Sequence, residues 1–155
     1  MIATETQIKI ERSFDQERIK SLLINDKIWF NSIDDFSETK ENFTPFLNEN
    51  LNYLIISKEN KDIGFALFIP HSEIMYEIHI GFLSDVRECG KLAINWVFEN
   101  TDCLKIIARM PEINKIVINF SVKMGFKKEG VLTKAFKKFN KLHDLHIYSL
   151  NKGVL

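Results

Sequence analysis

Cysteine is scarce in this chain: its 155 residues hold two, Cys89 and Cys103. Two thiols without a secretory signal read as reduced residues, and the chain is expected in the cytoplasm. An excess of either charge is missing too, since 21 Lys and Arg balance 21 Asp and Glu. That balance argues against a generic nucleic-acid or membrane-surface binder. No apolar run approaches the roughly 20 residues a membrane helix needs. The opening Met-Ile-Ala-Thr-Glu-Thr-Gln lacks the charged and apolar regions of a signal peptide. There is no internal repeat, no low-complexity segment and no evident linker, so residues 1–155 read as a single domain.

What is present is an ordinary soluble composition, 45% hydrophobic and 27% charged, on a chain long enough to bury a core. Ile8 and Ile10 mark a first strand. Asp15 caps a helix whose buried stripe is Ile19, Leu22 and Leu23. Lys27 to Phe36 mixes aromatic and acidic residues; a short helix is expected near Ser32 to Thr39, with Trp29, Phe30 and Phe36 as core filling or one wall of an acceptor pocket. The asparagine-rich stretch from Glu41 to Asn52 reads as a loop. Tyr53-Leu-Ile-Ile-Ser and Ile63 to Ile69 form a hairpin around Glu59-Asn-Lys-Asp.

Met75 to Ala93 is the most informative stretch. Tyr76, Ile78 and Ile80 alternate with Glu77 and His79, the period of a strand with two unlike faces. Ser84 and Asp85 break the run. Arg87-x-x-Gly90 follows, and a helix is expected from about Gly90. A strand feeding a loop into a helix aims unpaired N–H groups at one point, a ready anion site. Gly90 there would let a phosphate approach the backbone without a Cβ in the way. Leu104 to Ala108 reads as a short strand. Pro111 precedes a helix with Ile113, Ile116, Val117, Phe120 and Met124 as one continuous stripe. Gly125 supplies the left-handed end and Phe126 the contact after it. Phe126 to Phe139 and Leu142 to Leu150 make a terminal hairpin. The order β-α-α-β-β-β-α-β-α-β-β predicts an α/β (α+β) fold, one mixed sheet with helices on its faces.

The loop Arg87-Glu88-Cys89-Gly90-Lys91-Leu92 resembles the Arg/Gln-x-x-Gly-x-Gly/Ala signature of the GNAT acyltransferases, which hold the coenzyme A pyrophosphate there. Asn114, followed by a helix closing in Met124-Gly125-Phe126 and then Glu129-Gly130, is similar to that family's second motif, at the expected distance downstream. Ile33-Asp34-Asp35, Glu77-Ile78-His79 and Trp96-x-Phe-Glu-Asn-Thr101 look most like small GNAT-type proteins of tailed phages, which would place the chain in a host cytoplasm. The resemblance implies a mostly antiparallel sheet of about seven strands, with a fourth and fifth strand that splay after a bulge. It also implies acetyl-CoA as co-substrate, held by Ile80, Gly81 and Phe82, by Arg87 to Leu92, and by Asn114. The partner would be an amine-bearing small molecule or a protein or peptide acceptor, attacking the thioester directly in a ternary complex.

Acetyl transfer needs a neutral amine, a stabilised oxyanion and a proton for the departing thiolate. A backbone N–H near Phe82 would serve the oxyanion. Glu77 or His79, two apart on one strand face, would take the amine proton. Many GNAT enzymes carry a Tyr proton donor seven residues after the Asn; here Ser121 stands there, Val117 replaces a Ser or Ala, and Leu92 replaces the last small residue of the loop. Those departures keep a non-catalytic protein on the same fold, a coenzyme binder or a phage assembly or accessory factor, as the alternative. Cys89 is expected to be a bystander thiol in the loop. No metal is expected, because His143 and His146, three apart on a strand, face opposite sides.

Overall fold

A computed structural model of the chain describes residues 7–32 and 39–153. Among them the elements run β1 (Ile8–Arg12), α1 (Gln16–Leu23), α2 (Asp26–Ser32), β2 (Asn52–Lys58), β3 (Lys61–Pro70), β4 (Met75–Phe82), α3 (Val86–Asn100), β5 (Lys105–Pro111), α4 (Lys115–Lys123), β6 (Lys127–Lys138) and β7 (Lys141–Asn151). The strands form one sheet in the order β1-β2-β3-β4-β5-β7-β6. Every pairing is antiparallel except that of β4 with β5. This is the mixed α/β architecture that the order of elements predicts.

The middle of the sheet is buried on both faces because successive residues of β2 and β3, Tyr53–Ile56 and Ile63–Ala66 among them, are apolar or small on both sides. In β2, Tyr53 and Ile55 pack with Ile19, Leu22 and Leu23 of α1 and Ile28 of α2. Leu54 points the other way, into a larger core with Ala93, Ile94 and Val97 of α3 and Ile106 and Ala108 of β5. Burying such side chains is the main favourable term in folding. Local signals fix the helix ends. The Asp15 carboxylate accepts the Arg18 N–H at 3.1 Å and caps α1. Beyond α4, Gly125 takes φ 103°, its N–H bonds the Val122 carbonyl at 3.0 Å, and the Phe126 N–H bonds the Ser121 carbonyl at 3.0 Å. That is a Schellman closure, available to glycine at little steric cost.

Several boundaries differ from expectation. Helix α2 runs from Asp26, where the Asn25 side chain accepts the Lys27 N–H, to Ser32, where the helix expected over Ser32 to Thr39 would start. Most of the expected range, with Phe36 and the Ile33-Asp34-Asp35 segment, lies outside the described residues, as does the Phe30 side chain. Trp29 is half-buried and meets the Phe43 ring edge-on at 5.2 Å. Helix α3 starts at Val86, not near Gly90, so the expected loop is the helix's first turns. The α4 stripe is also different: Ile113 and Ile116 are exposed, Ile116 to 84%, while Ser121 is buried. The helix turns its Val117, Phe120, Ser121 and Met124 side to the sheet because those residues, not Ile116, find the α3 and β5 side chains opposite.

Candidate functional site

Strands β4 and β5 pair only at Met75–Glu77 against Lys105–Ile107. Beyond Glu77, β4 stays with β3 through Phe82 in unbroken register, while β5 stays with β7 through Pro111. The two strands therefore splay as expected, but without the expected bulge, since β4 slips nowhere against β3. The shifts lie between β2 and β3, where Ile63 of β3 is the extra residue opposite Ile56 and Ser57, and in β6.

The splay leaves half of β4's backbone without a strand partner. The Leu83 N–H bonds the Ile63 carbonyl at 2.7 Å, continuing the β3–β4 ladder. Antiparallel alternation then turns residues 77, 79 and 81 toward β3 and residues 78, 80 and 82 toward the opening. Of the three expected coenzyme contacts, Ile80 and Phe82 present backbone groups to the gap, and Ile78 joins them. Gly81 does not. A Cβ on Gly81 would lie 2.7 Å from both Ile28 and Phe65, so this glycine admits α2 against the sheet rather than a ligand.

A cavity of about 510 Å³ fills the splay and crosses the sheet. On the α3–α4 side its wall is apolar, with Ile94, Val117 and Phe120, and Asn114 at the start of α4. The Asn114 side chain makes no capping bond to its helix. On the α2 side the wall carries Lys27, Glu77, His79 and Arg109. Strand β6 closes this side through a bulge. Thr133, Lys134 and Ala135 stand against Asp144 alone, Lys134 takes φ 51°, and the Asp144 carboxylate accepts the Lys134 N–H at 2.9 Å. The bulge puts Ala135 and Phe136 on the cavity wall.

Glu77 is the electrostatic centre. Its side chain is 2% exposed, one oxygen sits 3.0 Å from His71 Nε2, and the other lies 2.7 Å from His79 Nε2 and 3.0 Å from Arg109 Nη2. Burial alone would raise its pKa, but the hydrogen bonds from His79 and Arg109 outweigh that and hold it at about 2. Such a carboxylate is a weak base with both oxygens engaged. His79, 45% exposed, is the more accessible of the expected pair. Arg109 and His71 are additions that the sequence reading missed. Arg109 shares Glu77's face because Ile107, two residues earlier, is paired with Glu77. His71 returns to Glu77 because the β3–β4 turn bonds its N–H to the Met75 carbonyl.

Arg87, Glu88, Cys89, Gly90, Lys91 and Leu92 all lie within α3. Cys89 N–H already bonds the Asp85 carbonyl at 2.9 Å, so the amides left unpaired by helix geometry are those of Val86, Arg87 and Glu88. Arg87 and Lys91 are exposed, as an anion contact requires. Gly90 is not a phosphate approach: a Cβ there would meet the Phe120 ring at 2.7 Å, so it admits α4 against α3. Cys89 is fully buried and its thiol is pushed up to about 11, by burial first and by Asp85 and Glu88 next. It is an inert thiol at neutral pH. The Ser121 hydroxyl lies 2.9 Å from the Val117 carbonyl and 3.3 Å from Met110 Sδ.

No family model matches this sequence, and no curated protein matches it. Solved structures do match in fold. A spermidine N-acetyltransferase from Vibrio cholerae, solved in complex with CoA and spermine, superposes with a TM-score of 0.78 at 15% identity over 96% of this chain and 97% of its own. A ribosomal-protein-alanine N-acetyltransferase from Brucella melitensis gives 0.71 at 16% identity, over 92% and 99%. An N-acetyltransferase from Staphylococcus aureus Mu50 gives 0.71 at 18%, over 96% and 98%. The chain therefore has the fold of the GNAT N-acetyltransferases.

Proposed function

We propose that this protein is an acetyl-CoA-dependent N-acetyltransferase acting on an amine. The observation that carries the reading is the cavity through the β4–β5 splay, apolar on one side of the sheet and lined by Glu77, His79 and Arg109 on the other. The residues fit the coenzyme in three places. Ile78, Ile80 and Phe82 offer backbone donors and acceptors for an amide-containing arm. The first amides of α3, with Arg87 beside them, suit a pyrophosphate. Ile116, exposed at the cavity rim, offers apolar surface.

The coenzyme supplies the acetyl group as a thioester. The amine nitrogen forms its bond to the acetyl carbon as the carbon–sulfur bond breaks. Glu77 does not take the amine proton; it orients His79 by accepting from Nε2, which leaves the Nδ1 lone pair to act as the base. The Phe82 N–H serves the developing oxyanion. The departing thiolate takes a proton from water, or from Ser121 once its hydroxyl turns off the Val117 carbonyl. One observation favours a second reading, a coenzyme-binding protein without turnover: the Ser121 hydroxyl is buried and already bonded.

Calorimetric titration with acetyl-CoA, followed by free-thiol release against a panel of amines, tests both readings. Binding with turnover that falls at least tenfold in His79→Ala, and coenzyme affinity kept within a few-fold, is the expected result; tenfold corresponds to about 1.4 kcal/mol in the barrier. Binding without thiol release selects the second reading. No binding at millimolar coenzyme rejects both.

A further inference from the structure

Glu77 joins two histidines that stand differently toward the cavity. His79 lines it, and His71 is not among the described residues on its wall. An ionised carboxylate only accepts, so the ring nitrogen facing each oxygen carries a proton. His79 Nε2 therefore donates to Oε2 at 2.7 Å, and His71 Nε2 donates to Oε1 at 3.0 Å. The first contact orients the base; the second touches no reacting group. Nor does the β3–β4 turn need the His71 ring. The backbone N–H groups of His71 and Ser72 bond the Met75 carbonyl at 2.9 and 3.2 Å. The Ser72 hydroxyl accepts the Ile74 and Met75 N–H groups.

Arg109 gives the second contact its consequence. Its Nη2 reaches Oε2 at 3.0 Å, the oxygen that His79 also uses. A planar guanidinium fork matches both oxygens of a carboxylate, and the two-bond pair is the stronger one. With Oε1 held by His71, Arg109 makes one bond to Glu77. Without the His71 ring, Oε1 becomes an acceptor in need of a donor on a side chain only 2% exposed. Arg109 has further donors to offer it. Turning the carboxylate into that pair takes Oε2 off His79.

We infer that His71 is a positioning residue for the transfer: by holding Glu77 Oε1 from off the cavity wall, it keeps Arg109 to one bond and keeps Oε2 on His79 Nε2. The inference rests on the acetyltransferase reading and adds to it a residue that acts through two others. His71 gives up no proton in the reaction, and the bonds made and broken are those already described.

The test compares wild type with His71→Ala and with His71→Gln, whose amide keeps a donor. Long-range proton–nitrogen NMR of the rings, at a pH where imidazole is neutral, reads which nitrogen of His79 carries the proton; a His79→Gln sample identifies its signals. Thiol release from acetyl-CoA is measured on the same proteins against the panel of amines. Wild type and His71→Gln should hold the proton on Nε2, and His71→Ala should show a mixture of the two tautomers. In His71→Ala, kcat should fall roughly fivefold or more, because a displaced base loses its alignment, while KM for acetyl-CoA stays within a few-fold. An unchanged His79 tautomer in His71→Ala, as when water alone satisfies Oε1, overturns the inference. So does a wild-type protein whose His79 carries its proton on Nδ1, or a His71→Gln protein as altered as His71→Ala. A wild-type kcat in His71→Ala overturns the inference and leaves the acetyltransferase reading intact. Thiol release from no acceptor rejects that reading, and the His79 tautomer in the three proteins still decides whether His71 places Glu77.

Discussion

Replacing Glu77 by Gln removes the one negative charge to which His71, His79 and Arg109 converge. In the native protein this carboxyl titrates at about 2, against an ordinary 4.5. The difference is worth on the order of 3 kcal/mol of stability at neutral pH, at about 1.4 kcal/mol per tenfold. The folded value is the lower one, so this contribution is complete above the unfolded pKa and disappears as pH falls through the folded one. By about pH 3 less than roughly half should remain. The three partner side chains are 40–45% exposed and water will solvate them in the variant, so a loss of about 2–3 kcal/mol is expected. Urea unfolding of wild type and Glu77→Gln at neutral pH and again near pH 3, followed by circular dichroism, measures the gap directly. The variant should be less stable at neutral pH and the gap should shrink in acid. Equal stabilities at neutral pH, or a gap that stays constant down to pH 3, would refute the claim that native contacts hold Glu77 ionised.

Gly90→Ala places a Cβ 2.7 Å from the Phe120 ring and should cost about 1–3 kcal/mol in thermal unfolding. Phe120→Leu in the same chain should recover most of it, and a failure to recover would mean Gly90 does not serve helix packing. Gly125→Ala forces a side chain into φ 103° and should cost about 1–2 kcal/mol, with Gly125→Asn costing less; equal melting temperatures for all three would exclude strain at this closure. Ser121→Ala should lower thiol release roughly tenfold, about 1.4 kcal/mol, if Ser121 protonates the thiolate. Wild-type rates would assign that proton to water.

The sequence by itself determined the order of the elements and most of their ends. Alternation in Tyr76 to Ile80, the Asp15 cap and the Gly125-Phe126 closure are local, and each encodes its geometry through the chain's own backbone within a few residues. It also placed Glu77 and His79 on one strand face. Periodicity tells which face a residue takes, but not what covers that face. Nothing near Gly90 or Gly81 in sequence reveals that Phe120 or Ile28 occupies the space a Cβ would need. The stripe through Ile116 failed for the same reason, because an apolar side chain is buried only where another element reaches it. Arg109 is 32 residues from Glu77, and they meet because β4 and β5 pair in parallel for three residues and then part. Only the assembled sheet decides where that pairing stops, and the parting opens the cavity, aims the backbone of Ile78, Ile80 and Phe82 into it, and leaves an ionised Glu77 paired with Arg109 beside His79.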